Sequence, residues 1–254
     1  VTTPNQNYAV VLNANAGRVT KNLTTHLQTI IPEERLHLTN SLLHSRDVIR
    51  QCIETGCETI FAGGGDGTIV DALNTVNDFK HLTDRTPTIG ALRLGTGNAL
   101  AHWLGSATPA EDLNRWRSGR SHKILHTPMV KAEDTLFPFA GLGLDAAILN
   151  DYNRVKQQAK NTWKEPFIKG MSGYTLAGYT KTLPEYFSRP KNRVRIINVG
   201  RPAFKIGPNG NEIGEPIATG DTLYEGECTV VACASMPFYG YKMKMFPFLR
   251  TTTI

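Results

Sequence analysis

Phe61-Ala62-Gly63-Gly64-Gly65-Asp66-Gly67-Thr68 is the stretch whose reading decides the rest of the chain. Four glycines fall in the five positions 63–67, broken only by Asp66, and they close an apolar segment. A loop without Cβ atoms lets its backbone N–H groups approach an anion closely. The carboxylate at its centre repels phosphate, so it suits a metal ion or the proton of a hydroxyl. The stretch points to nucleotide chemistry centred on Asp66. A bare glycine-rich turn is the alternative, and the anion-cradling geometry makes it the weaker one.

Outward from this loop, strand-like and helix-like segments alternate. Residues 8–12 form a short apolar run, followed by the turn Asn13-Ala14-Asn15-Ala16-Gly17 and about a dozen residues of helix from Arg18. Residues 35–38 read as a second strand ending at Thr39. Asn40 or Ser41 can cap the next helix, whose apolar residues Leu42, Leu43, Val48, Ile49, Cys52 and Ile53 recur at helical spacing. Gly56 stops it. Residues 59–62 make a third strand, with a helix from Ile69 to Val76 after the glycine loop. Residues 88–92 make a fourth strand, then Gly95-Thr96-Gly97-Asn98, then helix again over 99–104. Such alternation predicts a parallel sheet with helices on both faces. Ligands bind such sheets beyond the carboxyl ends of the strands. Asn13, Thr39, Asp66 and Gly95 each come at or just after a strand end, on one rim.

After about residue 122 the texture changes. Strand-like stretches at 123–131, 135–140, 194–199 and 228–234 lack regular helices between them, and Gly207-Pro208-Asn209-Gly210-Asn211 reads as a hairpin tip. This half is predicted to be antiparallel β and sandwich-like, with one helical insert over about 153–186. The expected division is an α/β domain at 1–122 and a β-rich domain at 123–254.

The second loop sharpens the function. Leu94-Gly95-Thr96-Gly97-Asn98-Ala99-Leu100-Ala101, taken with Gly63-Gly64-Gly65-Asp66-Gly67-Thr68, closely resembles the diacylglycerol kinase catalytic family, which includes bacterial lipid kinases, sphingosine kinases and ceramide kinases. Asn13-Ala14-Asn15-Ala16-Gly17 resembles the family's first turn, with Ala14 in place of the usual proline. Ala140-Gly141-Leu142-Gly143-Leu144-Asp145-Ala146 resembles its Gly-x-Gly-x-Asp-Ala segment. The loop is no P-loop, since no Gly-Lys-Ser/Thr follows, and Val70 stands where a Rossmann fingerprint has its third glycine.

The resemblance implies an ATP-dependent lipid kinase with Rossmann-like first domain and a second domain that takes the lipid. It implies that Gly63, Gly64, Gly65, Gly67 and Thr68 line the triphosphate. Gly95, Thr96, Gly97 and Asn98 would contact the nucleotide, as would Asn13, Gly17 and Thr39. Asp66 would act near the γ-phosphate, through Mg²⁺ or as proton acceptor. Asp145 either faces the lipid headgroup or caps a following turn or helix. The acceptor would be a diacylglycerol, a sphingoid base or a related lipid. The partners implied are ATP and lipid, with peripheral contact at a cytoplasmic membrane surface and room for a homodimer. The family's acidic Asp-Gly-Glu or Asp-Asp-Gly element is expected just beyond Ile254, so the second domain reads as incomplete at its C-terminus or as using a different base.

Bulk properties agree with a cytoplasmic enzyme. The formal charge is +6, which permits an anionic partner without choosing one. No apolar run is long enough to span a bilayer, and the N-terminus does not read as a signal peptide. Val1 in place of Met reads as processing or trimming. No nucleic-acid-binding motif accompanies the basic charge. Cys52, Cys57, Cys228 and Cys233 read as reduced thiols more readily than as a zinc set, with Cys228 and Cys233 on opposite faces of one strand. His37 and His44 read as a strand residue and a surface helix residue.

Trp163, Phe167, Tyr174, Leu176, Tyr179, Leu183, Tyr186 and Phe187 accompany Lys160, Lys164, Lys169 and Lys181. They suit a membrane-facing helix or, equally simply, an amphipathic helix packed on its own domain. Arg115, Arg117, Arg120 and Lys123 are open to phosphate contact or solvation. Two rivals to the lipid kinase remain: an NAD kinase-like enzyme, which shares the first loop but not the second, and a non-catalytic nucleotide- or lipid-binding module.

Overall fold

The computed structural model of the chain describes residues 7–82, 86–119, 124–159, 186, 191–239 and 243–249. The chain divides into two compact units, Val1–Phe139 with Ala234–Ile254, and Ala140–Cys233.

The first unit is built on four parallel strands: β1 (Tyr8–Asn13), β2 (Leu36–Thr39), β3 (Thr59–Gly64) and β4 (Thr88–Arg93), in the order β2-β1-β3-β4. Helices α1 (Lys21–Gln28), α2 (Leu42–Glu54), α3 (Asp66–Phe79), α4 (Ala99–Trp103) and α5 (Pro109–Arg117) follow or link them. Side chains alternate across each strand, so β1 feeds two cores. Ala9 and Val11 pack with Val48, Ile49 and Ile53 of α2 and with Ile69, Ala72 and Val76 of α3. Tyr8, Val10 and Leu12 pack on the other face with Leu27 of α1 and Leu113 and Trp116 of α5. The Trp116 ring meets Tyr8 at 4.8 Å and Phe61 at 5.2 Å between centroids, both edge-on. A strand buried on both faces carries an apolar residue at nearly every position, as parallel sheets require.

Local chemistry sets the helix limits. The Ser41 hydroxyl accepts from the His44 N–H and caps α2, resolving the choice between Asn40 and Ser41. At its end Gly56 adopts φ +76°, and the N–H groups of Gly56 and Cys57 donate to Ile53 and Cys52 carbonyls, a Schellman stop. The first helix begins at Lys21, not Arg18, because Thr20 accepts from the Leu23 N–H and fixes the start there. His37 lies in β2 and His44 on the exposed side of α2. Burial and the nearby His44 hold the His37 imidazole below its usual pKa.

Asn74, buried on α3, brackets one residue of a short hairpin, β5 (Val130–Ala132) with β6 (Thr135–Phe137). Its amide donates to the Leu136 carbonyl at 2.9 Å and accepts from the Leu136 N–H at 2.8 Å. Asn74→Ala leaves both backbone groups without that partner. The expected loss is about 1–3 kcal/mol for each group left unsatisfied, read as a lower denaturation midpoint with an unchanged denaturant slope.

The second unit and its margins carry β7 (Phe139–Gly143), β8 (Asn192–Ile197), β9 (Ala203–Ile206), β10 (Glu212–Ile217), β11 (Thr222–Cys228) and β12 (Val230–Ala234), with helix α6 (Leu144–Ala159). Antiparallel ladders join β8 with β11 and β9 with β10, and β7 is bonded to β12. The predicted hairpin tip at 207–211 turns β9 into β10, with Gly207 N–H on the Asn211 carbonyl at 2.8 Å.

Three expectations need correction here. The stretch 228–234 is two strands, not one: Cys228 ends β11 and Cys233 lies in β12, so the two cysteines do not share a strand. Among the described residues 124–131 only Val130 and Lys131 lie in a strand, β5. The helix expected from about residue 153 begins at Leu144, immediately after the left-handed Gly143 (φ +97°). The aromatic and lysine set of the insert lies outside the described residues except Tyr186, as do Arg120 and Lys123.

Candidate active site

Parallel pairing puts the carboxyl ends of all four strands on one rim. The register sets Asn13 beside Thr39 and Gly64 beside Arg93. Buried Thr39 donates its hydroxyl to the Leu12 carbonyl at 3.2 Å, and its own carbonyl accepts from the Ala14 N–H at 2.8 Å. The first turn is closed by Asn13, whose side-chain oxygen accepts from the Asn15 N–H at 3.0 Å, an Asx turn. Asn13 also donates its amide to the Thr68 hydroxyl at 3.1 Å. Two of the predicted residues are thereby tied, from β1 to the start of α3.

The glycine loop is shorter than the sequence suggests, because α3 starts at Asp66 with Gly65 as its cap. Among the described residues the N–H groups of Asp66 and Gly67 have no acceptor. They belong to the first turn of a helix, where backbone donors lack intrahelical partners and the helix dipole favours negative charge.

The glycines divide by what a Cβ would meet. At Gly63 it would lie 2.3 Å from the Leu12 side chain, at Gly64 2.3 Å from the Thr68 hydroxyl, and at Gly95 2.2 Å from the Gly65 Cα. These are packing glycines. At Gly17 and Gly67 a Cβ would meet no atom within 4 Å. Those positions are bare toward open space, the form a cradle for a close-lying anion takes.

The two glycine loops are in backbone contact through Gly65 and Gly95. Asn98 adopts the left-handed conformation, φ 53° and ψ 39°, and is buried. Its side chain turns back on its own loop, accepting from the Gly95 N–H at 2.8 Å and donating to the Gly95 carbonyl. Asn98 therefore gives α4 no side-chain cap. Asp66 supplies one from the other loop: its Oδ1 accepts from the Leu100 N–H at 2.9 Å. A Cβ on Gly97 would sit 3.0 Å from the second Asp66 oxygen. Asp66 thus fastens loop to loop. Thr96 lies between Gly95 and Gly97, and Asp145 belongs to the second unit, in the first turn of α6.

A pocket of about 230 Å³ opens beside Thr68. Asn13, Thr39 and Thr68, each a candidate from the sequence, line it together with Asn15, Ser41, Leu42, Ser45 and Asp71. The last five were not among the site residues named from the sequence. Thr68 and Asp71 are one helical turn apart on α3, and Ser41 and Ser45 one turn apart on α2, so the signal was present as helical spacing. It needed the mutual placement of α2 and α3 to become a pocket. Asp71 is held by Arg46, whose guanidinium donates to its Oδ1 at 3.1 and 3.0 Å.

Among the described residues no group of three or more His, Cys, Asp or Glu side chains forms a metal-binding cluster. Mg²⁺ does not require one, since it is bound through one or two carboxylates plus substrate phosphates.

With this geometry in place, comparison with known families finds that the diacylglycerol kinase catalytic domain matches residues 7–128. The matched span holds both glycine loops, the Asn13 turn, Thr39 and the pocket. Among solved structures, a diacylglycerol kinase from Bacillus anthracis str. Sterne is 19% identical and superposes with a TM-score of 0.53, covering 94% of this chain and 67% of that one. A candidate diacylglycerol kinase from the same organism gives 20% identity and a TM-score of 0.56, covering 94% and 69%. These likenesses show a shared fold, an α/β domain with parallel sheet followed by antiparallel strands. The chain spans about two thirds of the length of those structures. No curated protein matches the chain. No described helix of the chain is long and apolar enough to cross a membrane.

Proposed function

We propose that the chain is an ATP-dependent lipid kinase, transferring the γ-phosphoryl group to a hydroxyl of a diacylglycerol, a sphingoid base or a related lipid. One observation carries this reading: the two glycine loops meet backbone to backbone at the sheet rim, fastened by Asp66, beside free helix N–H groups. Donors fixed in this way suit a chain of phosphates.

In this reading the Asp66 and Gly67 amides take phosphate oxygens, and the bare positions Gly17 and Gly67 let the anion lie against the backbone. Gly63, Gly64, Gly65, Gly95, Thr96, Gly97 and Asn98 hold the loops in the shape that presents those donors. The pocket lined by Asn13, Thr39 and Thr68 receives a polar part of the nucleotide. Asp66 and the phosphate oxygens would hold Mg²⁺, which neutralises charge on the transferring group. Phosphoryl transfer asks little covalent chemistry of the protein, and positioning with charge neutralisation supplies most of the rate. The Asp66 carboxylate orients the attacking hydroxyl and accepts its proton. Residues 1–122 are assigned to ATP and 123–254 to the lipid, with Asp145 toward the headgroup. A lipid acceptor places the enzyme peripherally at the cytoplasmic face of a membrane.

The test is transfer of label from γ-labelled ATP, with Mg²⁺, to vesicles containing diacylglycerol, a sphingoid base or ceramide, with NAD as a parallel acceptor. Label is expected in at least one lipid and not in NAD. Label in NAD alone would replace the lipid reading with the NAD kinase one. Failure of the chain to bind ATP at all would remove the nucleotide site.

A further inference from the structure

The stop of α2 is made by two cysteines. Cys52 is the third residue from the helix end, and Cys57 directly follows the left-handed Gly56 that stops the helix. The Cys57 N–H donates to the Cys52 carbonyl at 2.8 Å. In a Schellman motif these are the two positions whose side chains touch. Usually that contact is apolar; here both positions carry thiols. All four cysteines are free.

The two thiols differ in setting. Cys52 is buried among Val48, Ile49 and Ile53, and its pKa is raised by its hydrogen bond to Cys57 and by burial. Cys57 is half-buried, with its Sγ 3.7 Å from the Asn7 side-chain oxygen. Its pKa is lowered to about 7 by the Cys52 thiol, then by the Thr55 hydroxyl and the positive charge of Arg35, against the effect of burial. A thiol that ionises near neutrality and reaches solvent is the reactive kind, and a buried neutral one is inert until a partner is presented to it. Asn7 holds the motif in place by donating its amide to the Gly56 and Thr55 carbonyls at the end of α2.

We propose that Cys52 and Cys57 form a dithiol oxidised by hydrogen peroxide to an intramolecular disulfide, with Cys57 the attacking thiol and Cys52 the resolving one. In the first step the Cys57 thiolate attacks one peroxide oxygen. An S–O bond forms, the O–O bond breaks, sulfur is oxidised to a sulfenic acid and hydroxide leaves. In the second step Cys52 sulfur attacks the Cys57 sulfur. The S–S bond forms, the S–O bond breaks, and the departing hydroxide takes the Cys52 proton as water. Two thiols and one peroxide thus give one disulfide and two waters, and the reverse needs only a thiol reductant. The Schellman hydrogen bonds hold the backbones of the two residues together, the Cys57 N–H on the Cys52 carbonyl at 2.8 Å, and a disulfide requires residues held that close.

The experiment treats the intact chain with limiting hydrogen peroxide, blocks remaining thiols with iodoacetamide and maps the peptides. The expected result is loss of alkylation at both Cys52 and Cys57, a mass lower by two hydrogens, and recovery of both sites after dithiothreitol, before Cys228 or Cys233 reacts. In Cys52→Ala the Cys57 sulfenic acid should accumulate and be trapped by dimedone. Oxidation of Cys228 or Cys233 first would overturn the proposal. So would a Cys57 sulfinic acid with Cys52 still alkylated, or no reaction at the pair. The wild-type map decides even if the variant fails to fold.

Discussion

Gly95→Ala is expected to destabilise the first unit and lose ATP binding together, whereas Gly67→Ala should lose ATP binding with the fold intact. At Gly95 the new methyl would stand 2.2 Å from the Gly65 Cα and 2.7 Å from its nitrogen. Backbone cannot swing aside as a side chain can, so the loops must separate. Overpacking costs typically about 1–3 kcal/mol, and an obstacle made of backbone puts this variant at the upper end. At roughly 2–4 °C per kcal/mol for a domain of this size, the fall in melting temperature is easily read. Gly67 is the opposite case. Its φ is not positive, a methyl there meets no protein atom, and the position lies within the first turn of α3. Replacing glycine by alanine at a compatible position stabilises by about 0.4–1 kcal/mol through the unfolded chain. The methyl would instead occupy the space proposed for phosphate. Thermal melts of both variants, with and without ATP and Mg²⁺, separate the two effects. Wild-type ATP affinity in Gly67→Ala would show that phosphate does not lie against this backbone.

The contrast between these glycines marks where the sequence stops being informative. Glycine density alone announced the loop, because only close approach or unusual φ explains so many missing side chains. It could not tell Gly95, emptied for a neighbouring loop, from Gly67, emptied toward open space. The strand ends were legible for a related reason: in a doubly covered parallel sheet a strand is a compact apolar run, and the first three end at Asn13, Thr39 and Gly64, with Gly95 two residues beyond the end of β4. Helix α5 was read only as a basic cluster through Arg115 and Arg117, although Thr108 and Glu111 form a capping box and Leu113 and Trp116 are buried. The T-x-x-E spacing was the available signal. The pocket residues Ser41, Ser45 and Asp71 were invisible because each is unremarkable on its own helix. The β-rich half was coarser still. Its strands are short and half-exposed, so the reading placed β8 and β12 approximately, missed β9, β10 and most of β11, and ran across the break between Cys228 and Val230.

Asp66→Asn is expected to keep the fold and lose turnover, with a rate lower by about 10²–10⁴ if the carboxylate is the general base. The structure explains why the fold should survive. The amide oxygen of asparagine can still accept the Leu100 N–H, so the fastening of the two loops persists without its charge. Asp66→Ala removes that acceptor as well. Because the Asn98 side chain is committed to Gly95, α4 then has no cap from either residue, at a cost of about 1 kcal/mol. The pair of variants separates chemistry from architecture: slow turnover in both, a lowered melting temperature only in the alanine variant. Wild-type phosphorylation of lipid by Asp66→Asn would leave Asp66 as a fastener alone, and the proton acceptor would have to be sought among other carboxylates. Equal loss of stability in both variants would mean that the charge, not the hydrogen bond, holds the loops together at the start of α4.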